Sequence, residues 1–379
     1  MIKYFRSRSD GNFTDGGGYM EKIVVPDYYK NFRCKCGECR RCCCSGWGIT
    51  VHMSEYFKLL GIECSDKLRK KLDCAFYVLP DASPERYAKM KPNFLGSCPL
   101  QDSDGLCSLQ VECGAEVLPS VCRMYPRNTL FSTLGEGACA CSCEKVIEML
   151  FAETDGIKLV ELELPQNTQK LSDGRDESER DLQNSIIRHL QDRTVPLSER
   201  LINFGKTLGE NEVPAEITDE TAFRAITDLV AALESYSPNF SEYSIIAKED
   251  LGIINGEFDA KTVEDRYKKA AETFKKRFPL CEIYFENVLI NHIIFERFPF
   301  SQKGETPFEK FAELCATYAL TRFVAVAYTE NKFEETALVD CIAGLFRCFE
   351  HSDSDGVVRS MLKSAGLMGY AYLDKIVKI

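Results

Sequence analysis

The sequence predicts a mainly α protein in which an irregular cysteine-rich metal-binding N-terminal domain is followed by an all-α helical domain. Fifteen of the nineteen cysteines lie before residue 144. Beyond about residue 182, apolar residues recur at helical spacing, with Pro and Gly confined mostly to the gaps. The 379 residues, 45% hydrophobic and 28% charged, are enough for two or three cores at roughly 100–200 residues per domain. There is no 20–50-residue repeat, so a solenoid is not favoured.

Residues 1–19 are polar and glycine-rich and read as a disordered leader, with Met20 as a candidate start. Residues 20–150 form the cysteine-rich domain. VVPDYYKNF (24–32) is an aromatic entry that Pro26 keeps extended. TVHMSEYFKLLG (50–61) and SDKLRKKLD (65–73) predict two short helices, the second begun by a Ser cap. Residues 92–143 are dense in turn formers, so a metal has to stand in for the core they lack. EKVIEMLFAE continues as a helix, and 151–181 is its end plus a polar linker, LPQNTQKLSDGRDESERD (164–181). In the all-helical domain, 182–379, helices are expected near 182–192, 197–208, 217–235, 260–276, 280–297, 307–329, 334–350 and 356–377. Cys281, Cys315, Cys341 and Cys348 sit singly on these patterns and read as core residues.

Composition excludes some classes of function. No segment approaches the ~18 consecutive apolar residues of a membrane span, and the first twenty residues lack the apolar stretch of a secretory signal. A cytoplasmic location is expected, where clustered thiols stay reduced and bind metal more often than each other. The net charge of −11 is uneven. Residues 1–150 hold 20 Lys+Arg against 18 Asp+Glu, leaving 27 against 40 for the rest. An acidic surface of this kind argues against nucleic acid and suits a lysine-bearing protein partner, or solubility alone.

The chemistry concentrates in CKCGECRRCCCSGW (34–47), where six of fourteen residues are cysteine. Packing does not require so many, because free cysteine is a small hydrophobe that alanine or valine could replace. Neighbouring thiolates repel, so such a knot persists only around a soft cation or as disulfides. The adjacent Cys42, Cys43 and Cys44 are expected to point in different directions and to pair poorly with one another. Two registers compete, C-x2-C-x2-C-C through Cys36, Cys39, Cys42 and Cys43, and C-x4-C-x3-C-C-x-G-W through Cys34, Cys39, Cys43 and Cys44. CPLQDSDGLCSLQ (98–110), VCRMYPR (121–127) and CACSCE (139–144) follow.

The second register with these later motifs, and YFENVLINHIIFERFPF (284–300), resembles the flagellin lysine-N-methylase family within the wider cysteine-rich metal-chelating group. The resemblance covers most of residues 20–330. It implies methyl transfer from S-adenosylmethionine to lysine ε-amines of flagellin, with a 4Fe-4S cluster. It also implies the matched cysteines Cys34, Cys39, Cys43, Cys44, Cys98, Cys107, Cys122 and Cys143 as metal ligands. Eight is twice what one such cluster needs, so either some stand behind the ligands or there are two metal sites.

Zinc remains the alternative to iron–sulfur, because four thiolates serve either. The C-x3-C-x2-C pattern of radical S-adenosylmethionine enzymes is absent, since Gly46 and Val146 occupy the third positions. TLGEGACA (133–140) reads as a hairpin turn rather than a nucleotide loop. S-adenosylmethionine is therefore expected beside the cluster. Amine methylation needs a lysine without its proton, aligned behind the methyl group. Tyr28, Tyr29, Tyr125 and Glu144 adjoin the cysteine motifs and are the candidate catalytic groups. Arg127 and Trp47 are the candidate cofactor-binding residues, Trp47 as a lid over the metal core, and Arg123 a candidate to offset thiolate charge. His292 is expected as a hydrogen-bonded core residue, and His52 lies close to the knot. The competing function is a non-catalytic iron–sulfur or zinc protein in metal handling, electron transfer or redox sensing.

Overall fold

The computed structural model describes residues 20–46, 48–94, 96–130, 136–165, 177–208, 217–254, 258–300 and 304–379. The expected leader and most of the expected linker lie outside them. Helix predominates, and the cysteine-rich region is irregular as anticipated.

The chain enters on strand β1 (Met20–Pro26), whose alternate residues Ile23 and Val25 are buried. Three short strands follow, β2 (Thr50–Val51), β3 (Phe76–Val78) and β4 (Ala88–Met90), pairing in the order β2-β4-β3. Helices α1 (Met53–Gly61) and α2 (Asp66–Ala75) fall where the sequence places them, and the Ser65 hydroxyl accepts the Leu68 amide as the α2 cap. The remaining elements of this region are α3 (Ser108–Cys113), α4 (Ser120–Met124), β5 (Arg127–Leu130), β6 (Glu136–Cys139) and α5 (Glu144–Ala152). Strands β5 and β6 pair antiparallel, Arg127 opposite Cys139 and Leu130 opposite Glu136, and the first residues of the hairpin turn expected over 133–140 lie outside the described residues.

Strand β7 (Leu159–Pro165) closes a four-stranded sheet of order β5-β6-β1-β7, antiparallel to β1 along its whole length. The sequence reading assigned this stretch to a helix end and linker. The alternation in LVELELP is a strand signal, and it is satisfied only by pairing with β1, well over a hundred positions earlier, Glu161 with Val24 among them.

The helical region comprises α6 (Glu177–Leu190), α7 (Leu197–Gly205), α8 (Asp219–Tyr236), α9 (Pro238–Leu251), α10 (Ala260–Arg277), α11 (Cys281–Phe295), α12 (Pro307–Tyr328), α13 (Glu335–Phe349), α14 (Ser354–Ser364) and α15 (Tyr370–Lys378). Thr218, Asp259 and Thr306 cap α8, α10 and α12 with their side chains. Helix α12 is buried almost all round and acts as the hub. Two expectations need correction. Helix α9 was not anticipated, because PNFSEYSIIAKEDL has a poorly segregated apolar face. The single helix expected over 356–377 is two, broken at Gly366, whose φ is +67°.

Packing yields two cores. The larger unites α6 to α15 with β1, Tyr28, Tyr29, Phe32, β6 and α5, so both ends of the cysteine-rich region are built into the helical body. The smaller contains twelve buried residues between Ile49 and Leu118, with Cys44, Cys107 and Cys122 packed against it. Cys281, Cys315, Cys341 and Cys348 are buried, as expected of core residues.

Candidate metal centre

All nineteen cysteines are unbridged. A turn at Cys43 and Cys44 brings the sulfurs of Cys42, Cys43 and Cys44 within 4.8 Å of one another. This corrects the expectation that three adjacent cysteines would diverge; the chain doubles back there, and the Cys44 amide donates to the Cys42 sulfur at 3.4 Å.

Around this turn the sulfurs fall into two groups. Cys39 interacts electrostatically with Cys143, Cys34 and Cys43, and Cys143 in turn with Cys43 and Cys34. These four define the first group, drawn from the 34–46 loop and the start of α5. Burial is the main cause that raises the Cys39 and Cys143 thiols, and the Val146 and Lys145 amides at the helix start pull Cys143 back down. The Cys36 amide donates to the Cys34 sulfur at 3.3 Å. Four partly buried soft donors from two loops, two of them already facing backbone N–H groups, fit a cubane iron–sulfur cluster or a tetrahedral ion. In the second group Cys98 interacts with Cys107, Cys42 and Cys43, and its thiol is pushed up to about 11 by burial. Its amide donates to the Cys44 carbonyl at 2.7 Å. Cys122, on α4, packs against the same small core.

The helical body grips the first loop at every turn. Arg40 forms a two-point contact with Asp340 of α13 at 2.9 Å, and Arg41 pairs with Glu242 of α9. Arg347 of α13 donates to the carbonyls of Arg41 at 3.0 Å, Cys42 at 3.3 Å and Ser45 at 3.4 Å. Asn239 donates to the Gly46 carbonyl at 2.7 Å. Gly46 itself has φ +85°, and a Cβ there would lie 2.8 Å from the Asn239 Oδ1, so both backbone and space require glycine.

The second loop, 139–143, is held by the far end of α13. The Glu350 side chain is fully buried and accepts the amides of Cys141 and Ser142, each at 3.1 Å. Asn291 of α11 donates to the Cys139 carbonyl at 2.8 Å and to the Cys141 sulfur at 3.0 Å. The Ser142 hydroxyl bonds to His351 Nε2 at 2.7 Å and to the Tyr125 hydroxyl at 3.1 Å. Burial pushes His351 down to about 4, so its ring is neutral near pH 7.

The candidate residues take distinct places. Tyr125 lies beside Cys143 and Cys43, and burial is the main cause raising its hydroxyl far above the usual range. Tyr28 is wholly buried behind the loop, donating to Asn291 and accepting the Cys139 amide at 3.3 Å. Tyr29 is buried under Arg127. Glu144 accepts from Lys35 at 2.7 Å and from the Arg40 and Arg41 amides at 3.2 and 2.9 Å, which fastens the loop to α5. Arg127 donates to the Phe32 carbonyl at 3.0 Å and covers the Phe32 ring, two residues from Cys34. Arg123 reaches the Glu116 carbonyl instead of a sulfur. His292 is buried, with Nδ1 3.7 Å from Glu350, and His52 is exposed at the start of α1. Trp47 lies outside the described residues.

Sequence reasoning missed Ser142, Asn291, Arg347, Glu350 and His351. Asn291 and Ser142 were inside quoted motifs, whereas Glu350 and His351 follow α13 with no pattern to mark them.

Residues 209–366 match the family model described as the FliB lysine N-methylase C-terminal domain. The Lysine-N-methylases of Salmonella choleraesuis strain SC-B67 and Salmonella typhimurium strain LT2 are each 28% identical over 153 residues, 39% of this chain and 38% of the relative. The flagellar biosynthetic protein FliU of Salmonella muenchen is 27% identical over 146 residues, 38% of this chain and 85% of that protein. The match thus spans well under half the length of the two methylases. No solved structure matches. Asn239, Glu242, Asn291, Asp340, Arg347, Glu350 and His351, which hold the two cysteine loops, all lie within the stretch that matches the FliB lysine N-methylase C-terminal domain model.

Proposed function

We propose that this chain is a protein-lysine N-methyltransferase acting on surface lysines of a flagellar protein, flagellin foremost, with S-adenosylmethionine as methyl donor and a 4Fe-4S cluster at Cys34, Cys39, Cys43 and Cys143. The observation that carries the reading is that the stretch matched to the lysine N-methylase domain is the one whose side chains grip the four-sulfur centre. A helical domain with another task would have no reason to fix both loops through seven polar residues on or just beyond three helices, α9, α11 and α13.

When bound, S-adenosylmethionine supplies a methyl group on a positively charged sulfur. The chain's residues have the remaining tasks. Tyr125, Ser142 and His351 form a hydrogen-bonded chain beside Cys143, and with His351 neutral this chain can pass on the proton that the lysine ammonium must lose. Arg347 and Glu350 fix the loops that carry the sulfurs, so the centre is set before substrate arrives. Glu144 keeps Lys35 and the Arg40 and Arg41 amides in place, with its carboxyl held below the usual range by those partners despite its burial.

The test is to prepare the protein under anaerobic conditions, confirm iron and sulfide, and incubate it with methyl-labelled S-adenosylmethionine and flagellin. Label recovered as methyl-lysine supports the reading. Iron-loaded protein that neither binds S-adenosylmethionine by calorimetry nor labels flagellin refutes it and favours the metal-handling class.

A further inference from the structure

We propose that Cys64 and Cys113 are a redox-active dithiol that a small-molecule disulfide, such as oxidised glutathione, converts into an intramolecular bridge stapling the small core. The pair shares no cysteine with the candidate metal ligands, and the inference is independent of methyl transfer. It rests on how three helices meet. Cys64 lies in the link between α1 and α2, and Cys113 is the last residue of α3, before Gly114 turns the chain at φ +91°. Both are half-buried and pack against the small core.

The link is fastened on either side of Cys64. The Cys113 thiol donates to the Glu63 carbonyl at 3.8 Å, and the Glu112 carboxylate accepts the Ser65 hydroxyl at 2.8 Å together with the Ser65 amide. Arg69 fixes the start of the link by donating to the Leu59 carbonyl at 3.2 Å and to the Ile62 carbonyl. Both neighbours of Cys64 are thus bonded to the last two residues of α3. A carbonyl oxygen lies about 2.8 Å from the next Cα, so the Cys113 sulfur is within about 6.6 Å of the Cys64 Cα, a gap that side-chain rotation spans. A metal is a poor occupant here. Two sulfurs are half of what a structural zinc site takes, and the neighbouring Glu112 carboxylate is committed to Ser65, which holds it below the usual range.

In the oxidation one sulfur attacks the small disulfide and expels a thiol, and the other then displaces the second thiol from the mixed disulfide. Two electrons and two protons pass from the pair to the oxidant, which leaves as two thiols. Burial, Glu112 and Cys64 raise the Cys113 thiol, so Cys113 reacts second. A half-exposed bridge of this kind is readily reduced again. The loop it closes, 64–113, contains β3, β4 and the 98–107 knuckle, where the Gln101 amide donates to the Cys98 carbonyl at 3.0 Å and Gly105 turns the chain at φ +80°. That region has only twelve buried apolar residues to hold it, and closing so long a loop restricts the unfolded chain. The staple therefore forms under the oxidising conditions that put clustered thiolates at risk.

The test treats the full chain, purified anaerobically, with oxidised glutathione, alkylates the remaining thiols and cuts with trypsin and a glutamate-specific protease without reduction. Fragments 64–67 and 113–116 then carry one cysteine each. Mass spectrometry should find them joined in most chains at a glutathione level where Cys74, exposed on α2, carries only a glutathione adduct, and dithiothreitol should separate them. On oxidation the gap in melting temperature between wild type and Cys64→Ser should widen by about 4–8 °C. The wild-type map decides the pairing even if the variant fails to fold. Recovery of the two fragments separately, each with glutathione or an alkyl group, their joining to other cysteines instead, or a melting gap that does not widen would overturn the proposal.

Discussion

Removing the Glu350 carboxylate tests whether the helical body sets the sulfur centre. Its side chain is fully buried and accepts two amides, from Cys141 and Ser142, each at 3.1 Å. A hydrogen bond to a charged group contributes about 1.5–3 kcal/mol, and a buried amide left without a partner costs about 1–3 kcal/mol. Glu350→Ala strands both amides and should lower the unfolding free energy by about 3–5 kcal/mol. Glu350→Gln keeps one acceptor and should lose about half of that. For a chain of this size about 2 °C of melting temperature accompanies each kcal/mol, so a fall of roughly 6–10 °C is expected for the alanine variant. The same variant frees the 139–143 loop, which ends in Cys143, so the iron of the proposed cluster should fall together with its ultraviolet–visible absorbance. Chemical denaturation and iron analysis measure both. If Glu350→Ala unfolds within about 0.5 kcal/mol of wild type and retains its full iron, the loop does not depend on α13 and the argument fails.

Three further perturbations follow from the same structure. Gly46→Ala puts a side chain at φ +85° and against Asn239, and should cost about 2 kcal/mol and speed amide exchange over residues 42–46, read by mass spectrometry. Arg200→Met removes the buried partner 2.6 Å from Glu286, leaving only the more exposed Arg193, and should destabilise by about 3 kcal/mol in urea titration. Burial pushes Glu296 up to about 7, and His292 is also raised, because Glu350 and Glu296 outweigh the opposing effect of its burial. Both groups hold a proton in the folded chain that the unfolded chain releases. Their contribution is therefore complete below about pH 4.5 for Glu296 and about pH 6.5 for His292, and is lost as pH rises through the folded values. The stability of wild type relative to Glu296→Gln should decline from about pH 5 to pH 7, measured by melting curves across buffers; a rise over that window would reverse the assignment.

Cysteine spacing, helical periodicity and cap residues are local signals, and they placed the cysteine-rich region, α1, α2, α5 and most of the later helices correctly. Helix α9 and strand β7 escaped because their stability comes from partners far along the chain: α9 packs against α12 and α13, and β7 needs β1. The candidate site followed the same division. Tyr125 and the motif cysteines could be named from the sequence, since each lies within a few residues of another cysteine. Arg347, Glu350 and His351 could not, because they reach cysteine loops about 210 to 300 positions earlier through single side-chain contacts that leave no periodic trace.

Sequence alone determined that sulfur would dominate the front of this protein and that helices would make up the rest, because thiol density and apolar period are properties of short segments. Only the tertiary structure decided how the sulfurs divide and what holds them. A thiol's neighbours depend on where the 42–44 turn, the 98–107 knuckle and the start of α5 meet. That meeting point is fixed by α9, α11 and α13, whose buried polar side chains must find backbone partners in the cysteine loops or remain unsatisfied.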